Sequence, residues 1–473
     1  MESTTEPRFI PAKVPPIGIK KDQQYQFGYL IVPENRSNPK SKSIQLPVYI
    51  FKSRNPNPQL DPIIYTVGGP GYTTMTSAPY MNYYSYLDDR DFILFEQRGT
   101  AYAKPSLNCP EWSEAIAETD SPNFNVDKRD SILTLAAAAC KERLKAEGID
   151  LNAYHTQAIA ADIADLRKVL GLKSYNLLTM SYSTKIAQVM LRDFPEGIRS
   201  VVMDGSLPLA ARYDEESNAN LMQAVDKLLS DCGADPACAE EFPSLKSRFL
   251  EFLESKNEAP LSIQVTNPNT KAQEQFYLRG RDLISAFTAA PTSAVPSIPS
   301  EMEKILSGDY STIQASLAEL FEEPGNGVGI GMRLSVWCAE EYPFNNQKTI
   351  KQETENYPAI QGRSPAVYKS EVCKVWGVQA APKKEDQAVK SDVPVLLLNG
   401  EYDEFTPPHW AAAMQKHLPN SFHLVFPGWK HSVTTNWSNT CGMEAARTFF
   451  NDPTQKPELD CWEQLANNKF KRE

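Results

Sequence analysis

YNLLTMSYSTKIAQVMLRDFPEGIRSVVMDG, residues 175–205, sets an apolar run, a serine and a helical pattern in immediate succession. Tyr175 to Thr179 is short and apolar enough for a buried parallel strand, and Ile186, Val189 and Met190 recur at helical spacing after it. Ser181 therefore stands in a sharp strand-to-helix turn. In the G-x-S-x-G form of such a turn the serine hydroxyl rises above the sheet, and glycines on both sides let strand and helix pass closely. Here Thr179 and Ser183 occupy those two positions. Ser183 is small, whereas Thr179 brings a β-branched side chain to a place where crowding is expected. By itself the stretch leaves two readings open, an exposed nucleophile or an ordinary serine in a turn.

Outward from it, further apolar runs read as parallel strands: IIYTV after Asp61-Pro62, DFILFE (91–96), VPVLLLNG (393–400) and FHLVFPG (422–428). Helical patterns at 158–170, 184–194, 409–418 and 443–450 fall between many of them. Strands alternating with helices predict an α/β fold with a mostly parallel central sheet covered on both faces. Before this, Tyr25 to Val32 and Ile44 to Phe51, joined by the turn-rich PENRSNPKSKS, read as an antiparallel hairpin. Between about 206 and 388 the alternation stops. Helix formers such as LMQAVDKLLSDC and SLKSRFLEFLES dominate there, with a turn-like EEPGNGVGIG at the centre. This predicts a helical cap (206–388) inserted between core segments 1–205 and 389–473.

The composition excludes several function classes. Lys plus Arg total 48 against 59 Asp plus Glu, a formal charge of -11, and no basic cluster carries interleaved aromatics. That argues against nucleic-acid and anionic-membrane partners. No apolar stretch approaches the roughly 18 residues of a membrane span. The eight cysteines, Cys109, Cys140, Cys232, Cys238, Cys338, Cys373, Cys441 and Cys461, allow 105 connectivities. Pairing nearest neighbours closes four modest loops, of which CGADPAC is the smallest, and predicts an oxidising compartment; eight buried thiols in a cytosolic enzyme are the alternative. No second C-x₂₋₄-C pair or histidine pair stands at zinc-ligand spacing, so no metal is expected. MESTTEPRF lacks a basic n-region and an apolar h-region, which fits a mature secreted or periplasmic chain rather than a signal peptide.

Three further motifs bear on chemistry. TVGGPGYTT (66–74) follows a buried strand, and its glycine N–H groups could approach a substrate carbonyl as an oxyanion hole; a plain Gly-Pro turn is the other reading. Asp403 in LLLNGEYDEFTPPHW lies just beyond a strand's carboxyl end, where it could orient an imidazole or merely cap the next helix. His431 in FPGWKHSVTTN follows the last predicted strand. His155, His409, His417 and His423 read more simply as solvated or capping residues. Ser181, Asp403 and His431 thus come in the chain order of an α/β-hydrolase triad, with serine as nucleophile, histidine as general base and aspartate holding the imidazole.

On these motifs the chain resembles the α/β-hydrolases of the proline iminopeptidase and tripeptidyl aminopeptidase group. The resemblance runs almost end to end. FGYLIVPENRSNP, VGGPG, FILFEQRGTAYAKPSLNC, YHTQAIAADIADLRKVLG, SYST, GEYDEFTPP and GWKHS all carry it, with Val67 and Glu96 standing where the family has histidine and aspartate. WCAEE and EVCKVWG resemble the cysteine-bearing lid segments of the tripeptidyl branch, which supports a Cys338–Cys373 bridge. The resemblance implies a monomeric, cofactor-free serine exopeptidase that removes short peptides from a free amino terminus. It places the oxyanion donors at Gly69 and Tyr182, and it favours Glu340, with Glu341 beside it, as the lid carboxylate that receives the substrate ammonium. An esterase with the same triad and a catalytically silent binding protein remain the rival readings.

Overall fold

The computed structural model describes residues 6–20, 23–119, 121–284, 287–288, 290–321, 328–467 and 469–470. Among the described residues eleven strands run in chain order: β1 (Arg8–Pro11), β2 (Tyr25–Pro33), β3 (Ser43–Phe51), β4 (Gln59–Thr66), β5 (Arg90–Phe95), β6 (Tyr175–Met180), β7 (Ile198–Asp204), β8 (Leu261–Thr266), β9 (Gln273–Leu278), β10 (Val395–Gly400) and β11 (Ser421–Phe426). Nine of them form one sheet in the order β1-β2-β3-β5-β4-β6-β7-β10-β11. The first three pairings are antiparallel and the remaining five parallel. The hairpin expected near the amino terminus is β2–β3, and every parallel strand expected from an apolar run is present.

Those runs are continuous rather than alternating because both faces of the sheet are covered. Successive residues point to opposite sides. Leu177, Val201, Ile93 and Leu397 enter a core with Ile163, Leu166, Ile186 and Met190 from the helices Thr156–Val169 and Ser183–Asp193. Their neighbours Leu178, Val202, Leu94 and Leu396 enter a second core with Phe449 and Phe450 from the helix Cys441–Asn451. The helix Thr156–Val169 is locked to the hairpin by charge. Arg98, fully buried, donates to both oxygens of Asp162 at 2.7 Å and to the carbonyls of Glu34 and Ala153.

The 206–388 segment departs from the expected all-helical cap in two ways. First, it contains the antiparallel hairpin β8–β9, whose Leu261, Ile263 and Val265 are buried while Ser262, Gln264 and Thr266 are exposed. That period of two was legible in the sequence. The hairpin joins the helices Tyr213–Ala234 and Leu245–Glu258 around a separate core that includes Leu228, Phe249, Leu253 and Phe276. Second, the helices Ile330–Glu340 and Ser370–Trp376 leave that cap and put Met332, Leu334 and Trp376 into the main core. Of the turn-like EEPGNGVGIG, residues 322–327 lie outside the described residues.

The four disulfides are Cys109–Cys140, Cys232–Cys238, Cys338–Cys373 and Cys441–Cys461, the nearest-neighbour pairing, with no free cysteine. Cys338–Cys373 fastens together the two helices that dock on the main core. Cys232–Cys238 closes the end of the first cap helix.

Candidate active site

Ser181 sits between β6 and the helix Ser183–Asp193 in the left-handed region, at φ 56°. A non-glycine residue there is strained, and the surrounding hydrogen bonds hold it in place. Its N–H donates to the Asp204 carbonyl at 2.8 Å, and its carbonyl accepts from Thr184 N–H at 2.9 Å. The missing elbow glycines are explained by what stands in their place. Thr179 lies in the extended strand, where a β-branched residue fits, and its hydroxyl donates to the Val202 carbonyl at 3.1 Å. Ser183 uses its hydroxyl as a lace: it accepts from Met180 N–H at 2.8 Å and lies 2.8 Å from the Thr66 carbonyl at the end of β4. The close approach that flanking glycines would allow occurs at Gly68 instead. A Cβ there would lie 2.7 Å from both the Met180 oxygen and the Ser181 Cβ.

Asp403 follows β10 and His431 follows β11. One Asp403 oxygen accepts from His431 Nδ1 at 2.8 Å and from the Thr406 hydroxyl at 2.7 Å; the other accepts from the N–H groups of Phe405 and Thr406 at 3.0 and 2.8 Å. The carboxylate is 1% exposed. Asp204, at the end of β7, is a further site residue that sequence reasoning missed. Buried completely, it accepts from the N–H groups of Val433 and Thr434 at 2.9 and 2.8 Å and so fixes the turn behind His431. Its neighbour Gly205 leaves room for the imidazole, since a Cβ there would meet His431 Cε1 at 2.7 Å. Strands β6, β7, β10 and β11 are adjacent in the sheet, so Ser181, Asp204, Asp403 and His431 gather at one end of it. The backbone bond from Ser181 to Asp204, and the Asp204 bonds to the His431 turn, tie Ser181 and His431 to one scaffold. The signal that could have revealed Asp204 was its place, an acidic residue ending an apolar strand next to the elbow.

Burial disfavours charge on His431, but the adjacent Asp403 more than offsets this, and the imidazole pKa is raised to about 8. An imidazole acting as general base must be neutral to accept a proton. Hydrolysis should therefore rise with pH through an acid limb near 8 in kcat/KM. A limb near 6.5, the ordinary histidine value, would mean that Asp403 does not hold the imidazole in solution.

Gly69, at φ 115°, and Gly68 stand beside the elbow, where a Gly68 Cβ would lie 2.8 Å from Tyr182 N. Among the described residues the N–H groups of Gly69 and Tyr182 donate to no protein acceptor. Glu96 braces this loop from β5, accepting from the Thr73 hydroxyl and from Thr74 N–H, both at 2.9 Å.

Glu340 and Glu341, expected to receive the substrate ammonium, are both buried and bonded within the protein. Glu340 is 7% exposed, and its two oxygens accept from the N–H and hydroxyl of Thr156, the first of these at 2.6 Å. It satisfies the first N–H of the helix Thr156–Val169, whose N-cap is His155. Glu341 forms a buried ion pair with Lys185 on the helix behind the nucleophile. Both carboxylates are spent on anchoring the helix Ile330–Glu340, and neither is open to a substrate amine. The carboxylate next in the chain to Asp403 is Glu404, whose residue is 4% exposed; Lys430 Nζ pairs with its Oε1 at 3.1 Å, and its Oε2 has no partner among the described residues. Burial raises its pKa to about 7 against the opposing pull of Lys430. Among the described residues one trio offers three ligand atoms at metal-binding spacing, Cys109, Glu111 and Cys140, but its sulfurs are joined as a disulfide and Glu111 pairs with Arg143.

Two family models match the chain: alpha/beta hydrolase fold over residues 61–250 and TAP-like protein over residues 359–461. The tripeptidyl aminopeptidase of Streptomyces coelicolor is 24% identical over 428 residues, covering 84% of this chain and 75% of its own length. The serine protease Hip1 of Mycobacterium tuberculosis is 21% identical over 447 residues, covering 86% and 81%. A solved structure of proline iminopeptidase from Mycobacterium smegmatis aligns with 90% of this chain and 98% of its own at 15% identity and a TM-score of 0.39. The first family model spans Gly69 and Ser181 and the second spans Asp403 and His431: the chain has the α/β-hydrolase fold, with a carboxy-terminal part similar to TAP-like proteins.

Proposed function

We propose that the protein is a serine aminopeptidase that releases short peptides or single residues from a free amino terminus through an acyl-enzyme. Ser181 attacks the scissile carbonyl, His431 takes its proton and returns it to the leaving amine, and Asp403 holds the imidazole. The N–H groups of Gly69 and Tyr182 receive the oxyanion. The observation that carries the reading beyond hydrolysis in general is Glu404. Lys430 pairs with Oε1, and the Oε2 of this carboxylate, next in the chain to Asp403, keeps acceptor positions that suit an α-ammonium group; the names of the relatives point the same way. The four disulfides support export to an oxidising compartment. Among the described residues no helix is long and apolar enough to cross a membrane.

An esterase reading has one observation in its favour. Phe405 is 39% exposed and stands edge-on to His431, with ring centroids 5.5 Å apart, so the base has an apolar neighbour. A free-amine peptide anilide and its N-acetylated twin separate the two. Wild type should prefer the free amine by about 10- to 100-fold in kcat/KM, the scale of one charge-assisted hydrogen bond, and Glu404→Gln should narrow the gap. Equal cleavage of the twins, with faster cleavage of simple esters, would favour the esterase.

A further inference from the structure

Arg333 is a cation without a counter-ion. It lies in the first turn of the helix Ile330–Glu340, which starts on the oxyanion loop: Gly329 N–H donates to the Gly71 carbonyl at 2.8 Å, and a Cβ on Gly71 would lie 3.3 Å from the Arg333 Cβ. Its Nε is buried without a hydrogen-bond partner, and among the described residues its side chain makes neither a hydrogen bond nor an ion pair. A lack of acids does not explain this in a chain with a formal charge of -11. The acids nearby are engaged: Asp214 accepts from Trp337 Nε1 and Val367 N–H, both at 3.1 Å, Glu341 pairs with Lys185, and Glu404 lies against Lys430.

A second guanidinium shares the place. Arg363 bonds to the Asn218 side chain at 2.5 Å and likewise has no ion pair among the described residues; burial lowers its pKa. The charges acting on the half-buried Tyr213 are, in order, Arg333, Asp214, the triad's Asp403 and Arg363. Geometry links the two arginines through neighbouring helices: Tyr213 packs edge-on against Trp337 of the Arg333 helix, ring centroids 5.3 Å apart, and Asn218, which holds Arg363, lies on the same helix as Tyr213. Leaving guanidinium groups unpaired in partly buried positions is costly unless a ligand supplies the anion, and their planar forks match a carboxylate.

We propose that Arg333, assisted by Arg363, binds a carboxylate of the substrate, so that the enzyme selects short free-amine peptides carrying one. The inference rests on the aminopeptidase reading. The carboxylate has two possible sources, the far end of a short peptide or an Asp or Glu side chain, and matched peptides distinguish them. Tri- to pentapeptides of one sequence are compared as carboxy-terminal acid and amide, and a Glu-containing peptide amide is compared with its Gln counterpart at each position. Wild type should cleave the acid member of at least one such pair about 10- to 100-fold better in kcat/KM. The pair that responds names the source. In Arg333→Gln the ratio should fall towards one, with Arg333→Lys intermediate because it keeps the charge and loses the fork. Arg363→Gln should reduce the same ratio and serves if Arg333→Gln fails to fold. Equal cleavage within every pair by wild type overturns the carboxylate site alone. An acid preference that survives in both glutamine variants does the same. Cleavage of no free-amine peptide overturns the aminopeptidase reading and this inference with it.

Discussion

Ser181→Ala should lose turnover by about 10⁶-fold, the scale on which removing the nucleophile of a serine-protease triad acts, while folding as the wild type does. The chemical part of this expectation rests on the elbow geometry. Its φ of 56° and the bonds that hold it set Ser181 apart from an ordinary helix-start serine. The structural part rests on the side chain, since among the described residues the Ser181 hydroxyl is bonded to no other group and its removal orphans nothing. A fluorophosphonate should add one covalent label to wild type, located at Ser181 by peptide mass, and none to the variant. A label on a different serine would overturn the assignment. No label together with no hydrolysis of any ester or peptide would favour a binding protein that keeps the fold.

Asp403→Asn should cost about 10⁴-fold in kcat, as loss of the triad acid does where the imidazole is left in the wrong tautomer. Asparagine keeps the size and can still accept from Phe405 and Thr406 N–H, but it presents an amide donor or a neutral oxygen to His431 Nδ1. A second readout separates this from simple misfolding. Asp403 is the main group raising the His431 pKa to about 8 against burial, so without its charge the acid limb of the residual activity should move to lower pH. A residual activity whose limb stays near 8 would show that another group, such as Asp204, sets the imidazole's protonation.

Local residue pattern was enough for much of this protein. The continuous apolar runs of β4 to β7, β10 and β11 declare strands buried on both faces, because such strands have no solvent side to make polar. Ser181, Asp403 and His431 each sit just past one of those runs, and their order along the chain is a one-dimensional property that survives folding. The neighbouring disulfides were equally local. What the three-dimensional structure alone decided are relations between residues far apart in sequence. Thr179 and Ser183 break the elbow pattern, yet the close approach is made by Gly68 from another strand, and the Ser183 hydroxyl finds the Thr66 carbonyl 117 residues away. Glu340 beside its cysteine had the composition of a substrate carboxylate, but the Thr156 backbone and hydroxyl claim it. Glu404 and Arg333 have nothing unusual in their flanking sequence. Glu404 keeps Oε2 open although Lys430 pairs with Oε1, and Arg333 stays unpaired because acids such as Asp214 and Glu341 are engaged by other groups; that accounting is settled by packing rather than by spacing along the chain.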